Sequence, residues 1–392
     1  MNAADQQDFR LREDAVTAIL DRGRAEATEE AAHAVLARST DGGAPSIAEL
    51  ALLWFSPLPA EVLYEHALAR KTVLAQDLET FSPLYLTNTC DAECGMCGMR
   101  RDNEALVRKT ASVVETDDQL QMLYRRGMHA VALLTGEYHP DKRQAALRRV
   151  NQSLRTTQKL GFGHVLINVG SIESEEADLL LDGVERNDDG SLVANITMCT
   201  FQETYSRERY ARFMGTNTNN PRADYDRRLV NFDRMYRAGM RIANPGILVG
   251  LNPDIAFDML ALSLHTRHLE AKGMEVYLSV PRLRRIAGSR TQGGVGDEDF
   301  LRLVSLLSFG LPNAKVVLTT REPEAIQEKL VPIVTVLSAG SASVSPYTET
   351  SADFPLEASQ FEVIDQRPFE EILEPWQQRR GSIQNFDPPQ TS

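Results

Sequence analysis

The stretch from His129 to Ile172, HAVALLTGEYHPDKRQAALRRVNQSLRTTQKLGFGHVLINVGSI, sets the fold. It opens on a short run of β-branched and apolar residues, HAVALLTGE. A long segment of helical period follows and closes at Gly161, and a second apolar run, HVLINVGSI, begins within a few residues. A glycine just past the periodic stretch suits a left-handed C-cap. Strand, helix and strand joined this closely form a βα unit whose two strands lie parallel.

The same unit repeats on both sides. Strands are expected at 83–88, 129–137, 164–172, 191–201, 241–251, 275–283, 314–322 and 335–342, with helical segments between them. Further helices close at Gly127, Gly239 and Gly273. Eight βα pairs point to an α/β fold of the (β/α)8 TIM-like barrel kind, with an open doubly wound sheet as the alternative. Residues 1–80, rich in Ala and Leu, read as an N-terminal extension of two to four amphipathic helices. Residues 81–345 form the barrel, and 346–392 lose periodicity and read as an irregular tail wrapping the barrel before a frayed end.

The chain has 392 residues, with 42 Lys and Arg against 55 Asp and Glu, a net charge of −13. That balance repels phosphate backbones and anionic membranes, so no nucleic-acid partner is expected. The start, MNAADQQDFRLRED, lacks a basic region followed by an apolar core, and no stretch is apolar enough to span a bilayer. A cytoplasmic protein with no membrane partner is expected. Four cysteines are too few for a disulfide scaffold, but three of them fall together.

Cys90-Asp91-Ala92-Glu93-Cys94-Gly95-Met96-Cys97 has the spacing C-x3-C-x2-C and directly follows the first barrel strand. Active sites in such barrels form at the strands' C-terminal ends. Three thiolates in so short a loop suit three corners of a 4Fe-4S cluster and leave the fourth iron open to an exogenous ligand. A zinc site normally takes four ligands, and no nearby Cys pair or Cys/His spacing completes one. Cys199, inside the apolar run ITMCTF, reads as a buried free thiol.

This spacing after a first strand resembles the radical S-adenosylmethionine superfamily. The resemblance implies that a 4Fe-4S cluster on Cys90, Cys94 and Cys97 binds S-adenosylmethionine at its open iron, and that an electron donor such as a flavodoxin or ferredoxin reduces it. Thr135-Gly136-Glu137, ending strand two, is similar to the superfamily's Gly-Gly-Glu element, with Thr in place of the first Gly. By that likeness these residues hold the methionine end of the cofactor, and Ser171, Gln202 and Glu203 face its ribose or amino-acid part. Met96 stands where the superfamily usually has an aromatic residue against the adenine, and the glycines of GILVGL (246–251) leave room for the ring.

Over most of the chain the segments PLYLTNTC, FQETY, RADYDRRL, VPRLR, TTREP and LSAGS resemble the aromatic amino acid lyases of that superfamily. An amino-acid substrate needs a cationic fork for its carboxylate, polar partners for its ammonium and an apolar pocket for its ring. Arg321 at the end of strand seven suits the carboxylate unless it pairs with Glu322 or Glu324. Tyr85 and Ser338 are its companions, and Arg282 is either a site residue or a structural partner.

The stretch CGMCGMRRDN is most similar to tryptophan lyases of nosiheptide-type antibiotic biosynthesis, which implies conversion of L-tryptophan to 3-methyl-2-indolic acid. The alternative is a tyrosine lyase giving p-cresol and dehydroglycine. No cysteine follows Cys199, so the second cluster of the hydrogenase-maturation relatives is not expected. A non-catalytic iron-sulfur scaffold or sensor is the reading of another class.

Overall fold

Eight parallel strands close on themselves in chain order: β1 (Glu79–Tyr85), β2 (Ala130–Leu134), β3 (His164–Asn168), β4 (Ile196–Cys199), β5 (Ile242–Asn244), β6 (Glu275–Ser279), β7 (Lys315–Thr319) and β8 (Val336–Ser338). The barrel is closed by β1 against β8, with Phe81 opposite Ser338. This is the (β/α)8 architecture, seen in a computed structural model that describes residues 7–40, 43–74, 76–288 and 294–388. Strands β2 to β8 are shorter than their apolar runs suggest, because the last residues of each run leave the ladder and bend into loops at the mouth, while β1 begins at Glu79, ahead of the expected 83–88 run.

Four helices precede the barrel: α1 (Glu13–Glu26), α2 (Glu29–Thr40), α3 (Ile47–Phe55) and α4 (Ala60–Leu74). Within the barrel unit follow α5 (Val113–Arg125), α6 (Pro140–Leu160), α7 (Ser174–Leu180), α8 (Arg207–Met214), α9 (Tyr225–Leu229), α10 (Asn231–Arg237), α11 (Ile255–Ala271), α12 (Asp297–Gly310) and α13 (Glu324–Leu330). Local chemistry explains their ends. Ser112 and Glu115 form a reciprocal capping box at the start of α5. Gly161 ends α6 at φ 87°, its N–H bonded to the carbonyl of Thr157.

The preface packs on the outside of the barrel, not over its mouth: α3 lies against α11 and α12, and α4 against α12. The approach is close, since a Cβ on Gly310 of α12 would meet Leu50 of α3 at 2.5 Å. Arg302 of α12 donates to the carbonyl of Leu53 at 3.2 Å, tying the same two layers. No described helix is long and apolar enough to cross a membrane.

The tail departs from the expected irregular wrap, for it contains a twelve-residue helix, α14 (Phe369–Arg380). Its apolar face, Phe369, Ile372, Leu373 and Trp376, is buried. Pro375 inside that helix hid its period, because proline ordinarily breaks a helix interior. The tail closes both ends of the barrel. At the base, Gln384 and Asn385 bond to Leu78 and His129 at 2.8 Å each. At the mouth, Asn88 Nδ2 donates to the carbonyl of Ala358 at 3.0 Å and Gly98 N to that of Gln360 at 3.0 Å. The end expected to fray, NFDPPQTS at 385–392, is instead bound over 385–388, where Phe386 is buried and Asp387 N donates to the Gly127 carbonyl at 2.9 Å, and 389–392 lie outside the described residues.

Candidate active site

The long loop from 86 to 112 carries the cysteines across the mouth. Two connected compartments open beneath it, of about 900 and 720 Å³ with their mouths included. Tyr85, Leu134, Asn168, Phe201 and Arg321 line both, as do Gln360 and Phe361 of the tail.

The first compartment is lined by Cys90, Cys94, Cys97, Met96, Thr135, Gly136, Glu137 and Glu203. The loop is pressed against the end of β2, where a Cβ on Gly136 would meet the Thr89 carbonyl at 2.2 Å. Backbone N–H groups aim at sulfur: Ala92 N lies 3.4 Å and Glu137 N 3.3 Å from Cys90 Sγ. Gln360 Nε2 lies 3.5 Å from Cys97 Sγ. Burial pushes the Cys90 thiol up to about 12 and raises Cys94 as well.

Two arginines that sequence reasoning left without a role complete this compartment. Arg228 pairs with Glu137 at 2.6 Å, and Arg222 reaches both Glu137, at 3.6 Å, and Glu203. Burial pushes the Glu137 carboxyl up, but Arg228, Arg222 and Arg143 together overcome that and leave it below the usual carboxylate range. Both belong to RADYDRRL, and the first and last of its three arginines, six positions apart, were the available signal. Glu203 is held at φ 67°, a left-handed conformation unusual for a non-glycine residue, which turns its carboxylate toward Arg222.

Gln202 is buried between Phe201 and Glu203 and lines neither compartment, since alternate residues of an extended segment face opposite ways. Ser171 is likewise buried outside both linings, and its carbonyl accepts from Arg143. Gly246 serves internal packing: a Cβ there would meet Phe201 at 2.7 Å, while Leu248 lines the first compartment.

The second compartment descends into the barrel along alternate inward positions, from Tyr85 through Pro83 to Phe81, with Ser338 on β8. Its floor is apolar, made by Phe81, Ala132, Cys199 and Val317. Arg321 sits at the junction, its guanidinium carbon 3.1 Å from the centroid of the Phe361 ring. Neither neighbouring carboxylate takes it. Glu322 is held by Arg282, through Nε at 2.7 Å, and by Arg284 at 2.9 Å, while Glu324 is held by Arg367 at 2.6 Å.

Arg282 is thus a structural partner, bonded also to Asp297 at 2.6 Å. Among the described residues no carboxylate lies within ion-pairing distance of Arg321, and burial lowers its pKa to about 10. Tyr85 donates to Gln360 Oε1 at 2.6 Å. The Ser338 hydroxyl and the Asn168 amide face the cavity without a protein partner among the described residues.

No known family profile matches the chain. The 2-iminoacetate synthase of Escherichia coli (strain K12) is 28% identical over 296 residues, 73% of this chain and 72% of that enzyme. The crystal structure of HydG, a maturase of the [FeFe]-hydrogenase, superposes with a TM-score of 0.79 at 27% identity, covering 93% of this chain and 78% of that one. HydG from Carboxydothermus hydrogenoformans, at 23% identity and a TM-score of 0.78 over 94% of this chain and 84% of that one, shows the same fold.

The chain is a radical S-adenosylmethionine enzyme similar to these lyases of aromatic amino acids.

Enzymes of this kind use a 4Fe-4S cluster and S-adenosylmethionine, and the residues present fit both. Three thiols share one compartment, with N–H donors aimed at two of the sulfurs. Among the described residues no three potential ligands converge closely enough for a single ion. A cubane needs no such convergence, because each thiolate holds a different iron. Beside it the compartment supplies carboxylates and arginines for a zwitterionic cofactor.

Proposed function

We propose that this enzyme fragments a free aromatic L-amino acid and that tyrosine is its substrate, released as p-cresol and dehydroglycine. The observation that carries the amino-acid reading is Arg321, a half-buried guanidinium with no carboxylate within ion-pairing distance among the described residues, at the junction between the cysteine compartment and an apolar cavity. Such a partly desolvated cation is costly to leave unpaired, and a substrate carboxylate offsets that cost through two parallel hydrogen bonds. The choice of tyrosine rests on the 2-iminoacetate synthase relatives, whose named product is dehydroglycine.

When bound, cluster and S-adenosylmethionine supply a 5′-deoxyadenosyl radical that takes a hydrogen from the substrate. The chain's own residues do the positioning. Arg321 anchors the carboxylate, and the phenol oxygen of Tyr85 and the hydroxyl of Ser338 receive the ammonium. The inward faces of β1, β2 and β7 hold the ring. The mouth segment around Gln360 and Phe361 keeps water from the reacting atoms.

One observation favours tryptophan as a second reading, together with the motif likeness to the tryptophan lyases. Among the described residues the floor side chains of Phe81, Ala132, Cys199 and Val317 carry no hydroxyl or amide, and the nearby Asn244 and Ser279 side chains bond to each other at 3.0 Å. The hydroxyl of a tyrosine ring sits at its far tip and meets that apolar floor, whereas the indole N–H sits nearer the rim. The deciding experiment reconstitutes the cluster anaerobically, adds S-adenosylmethionine and reductant, and offers L-tyrosine and L-tryptophan in parallel. p-Cresol supports the tyrosine reading, 3-methyl-2-indolic acid replaces it, and deoxyadenosine with neither product removes both.

A further inference from the structure

The tail residue Gln360 joins the two compartments. Its Oε1 accepts from the Tyr85 hydroxyl at 2.6 Å, and its Nε2 lies 3.5 Å from Cys97 Sγ. Its backbone is fixed independently of that side chain, by Gly98 N donating to its carbonyl at 3.0 Å and by its own N–H donating to Ala342 at 3.2 Å. The fit at Gly98 is tight, since a Cβ there would meet the Gln360 carbonyl at 2.6 Å.

A metal-bound cysteine carries no proton and only accepts. The Gln360 amide group therefore turns its NH2 toward Cys97 and its oxygen toward Tyr85. The Tyr85 hydroxyl must then spend its one proton on Gln360, and its lone pairs are left facing the cavity. A phenol so oriented accepts from an ammonium and repels a carboxylate, which leaves the carboxylate to Arg321. Phe361, the next residue, lies under the Arg321 guanidinium and holds its plane.

Resting on the amino-acid reading above, we propose that Gln360 is a positioning residue that sets which way the substrate lies: anchored on Cys97, it makes Tyr85 the acceptor for the substrate ammonium. The tail is then part of the substrate site.

The test uses the full-length, anaerobically reconstituted enzyme with S-adenosylmethionine. Dissociation constants of L-tyrosine and L-tryptophan are measured for wild type, Gln360→Met, Tyr85→Phe, the double variant and Arg321→Ala, alongside the electron paramagnetic resonance spectrum of the reduced cluster. Either substitution at Gln360 or Tyr85 is expected to weaken the better-bound amino acid about tenfold. The double variant should lose little beyond either single one, because both break the same bridge. Gln360→Met should also shift the cluster's spectrum, and Tyr85→Phe should leave it close to wild type. Methionine keeps the backbone bonds that dock the tail, so a folded variant is expected. Additive losses, or wild-type affinity in Gln360→Met while Arg321→Ala binds weakly, overturn the proposal and leave the amino-acid reading standing. Wild-type affinity in Arg321→Ala overturns that reading instead.

Discussion

Arg321→Ala is expected to weaken substrate binding about a hundredfold. Burial lowers the Arg321 pKa from the ordinary arginine range to about 10. A carboxylate in the cavity offsets that desolvation. Two parallel charge-assisted hydrogen bonds of about 1.5 kcal/mol each give about 3 kcal/mol. About 3 kcal/mol is about a hundredfold in affinity. The assay is titration calorimetry on the anaerobically reconstituted protein, with tyramine and tryptamine as amines lacking the carboxylate. Both amines should bind wild type and variant alike. Arg321→Lys should bind more weakly than wild type, and its affinity should fall as pH rises from about 7 to 9, because a buried lysine titrates much nearer neutrality than a buried arginine. Equal loss for the amino acid and its amine would show that Arg321 only shapes the cavity, and would refute the reasoning.

Alanine at Cys90, Cys94 or Cys97 should abolish both cluster iron, measured together with acid-labile sulfide, and deoxyadenosine formation. Cys199→Ser, on the cavity floor, should leave the iron content unchanged. Glu137→Gln strands the buried Arg228 and should cost about 3–5 kcal/mol in denaturant unfolding. Because the folded-state pKa of Glu137 is lowered, its contribution is present above the unfolded value and lost as pH falls through the folded one. The gap between variant and wild type should therefore narrow below about pH 4. Asp258 has the opposite sign: burial raises it to about 7, although it accepts from Tyr205 N at 2.8 Å and Thr204 at 3.1 Å. Its carboxyl destabilises the fold increasingly as pH rises from about 4 to 7, so Asp258→Asn should gain thermal stability over wild type at pH 8 relative to pH 4.

Much of this molecule is legible in its sequence because the signals are local. A strand pattern, a helical period and a closing glycine are written within a few dozen residues, and eight repetitions leave few topologies open. All four glycines expected to end helices, Gly127, Gly161, Gly239 and Gly273, adopt positive φ. The cysteine spacing is local too, so the candidate cluster ligands stand out without a fold. Tail and arginines were harder. Pro375 masked a real helix, and Arg222 and Arg228 look like ordinary surface charge until the fold brings the loop before α9 and α9 itself against Glu137 and Glu203.

The sequence by itself determined the barrel, the place of the cysteine loop after its first strand, and the type of chemistry that three closely spaced thiolates allow. Only the tertiary structure decided that Glu322 and Glu324 belong to other arginines and leave Arg321 without a carboxylate partner among the described residues. It also decided that Ser171 and Gln202 lie outside the cavity lining, and that a tail segment 263 residues beyond Cys97 returns to touch it. The physical reason is the same throughout. Backbone period is fixed by neighbours in the chain, whereas which buried charge finds a partner is fixed by neighbours in space.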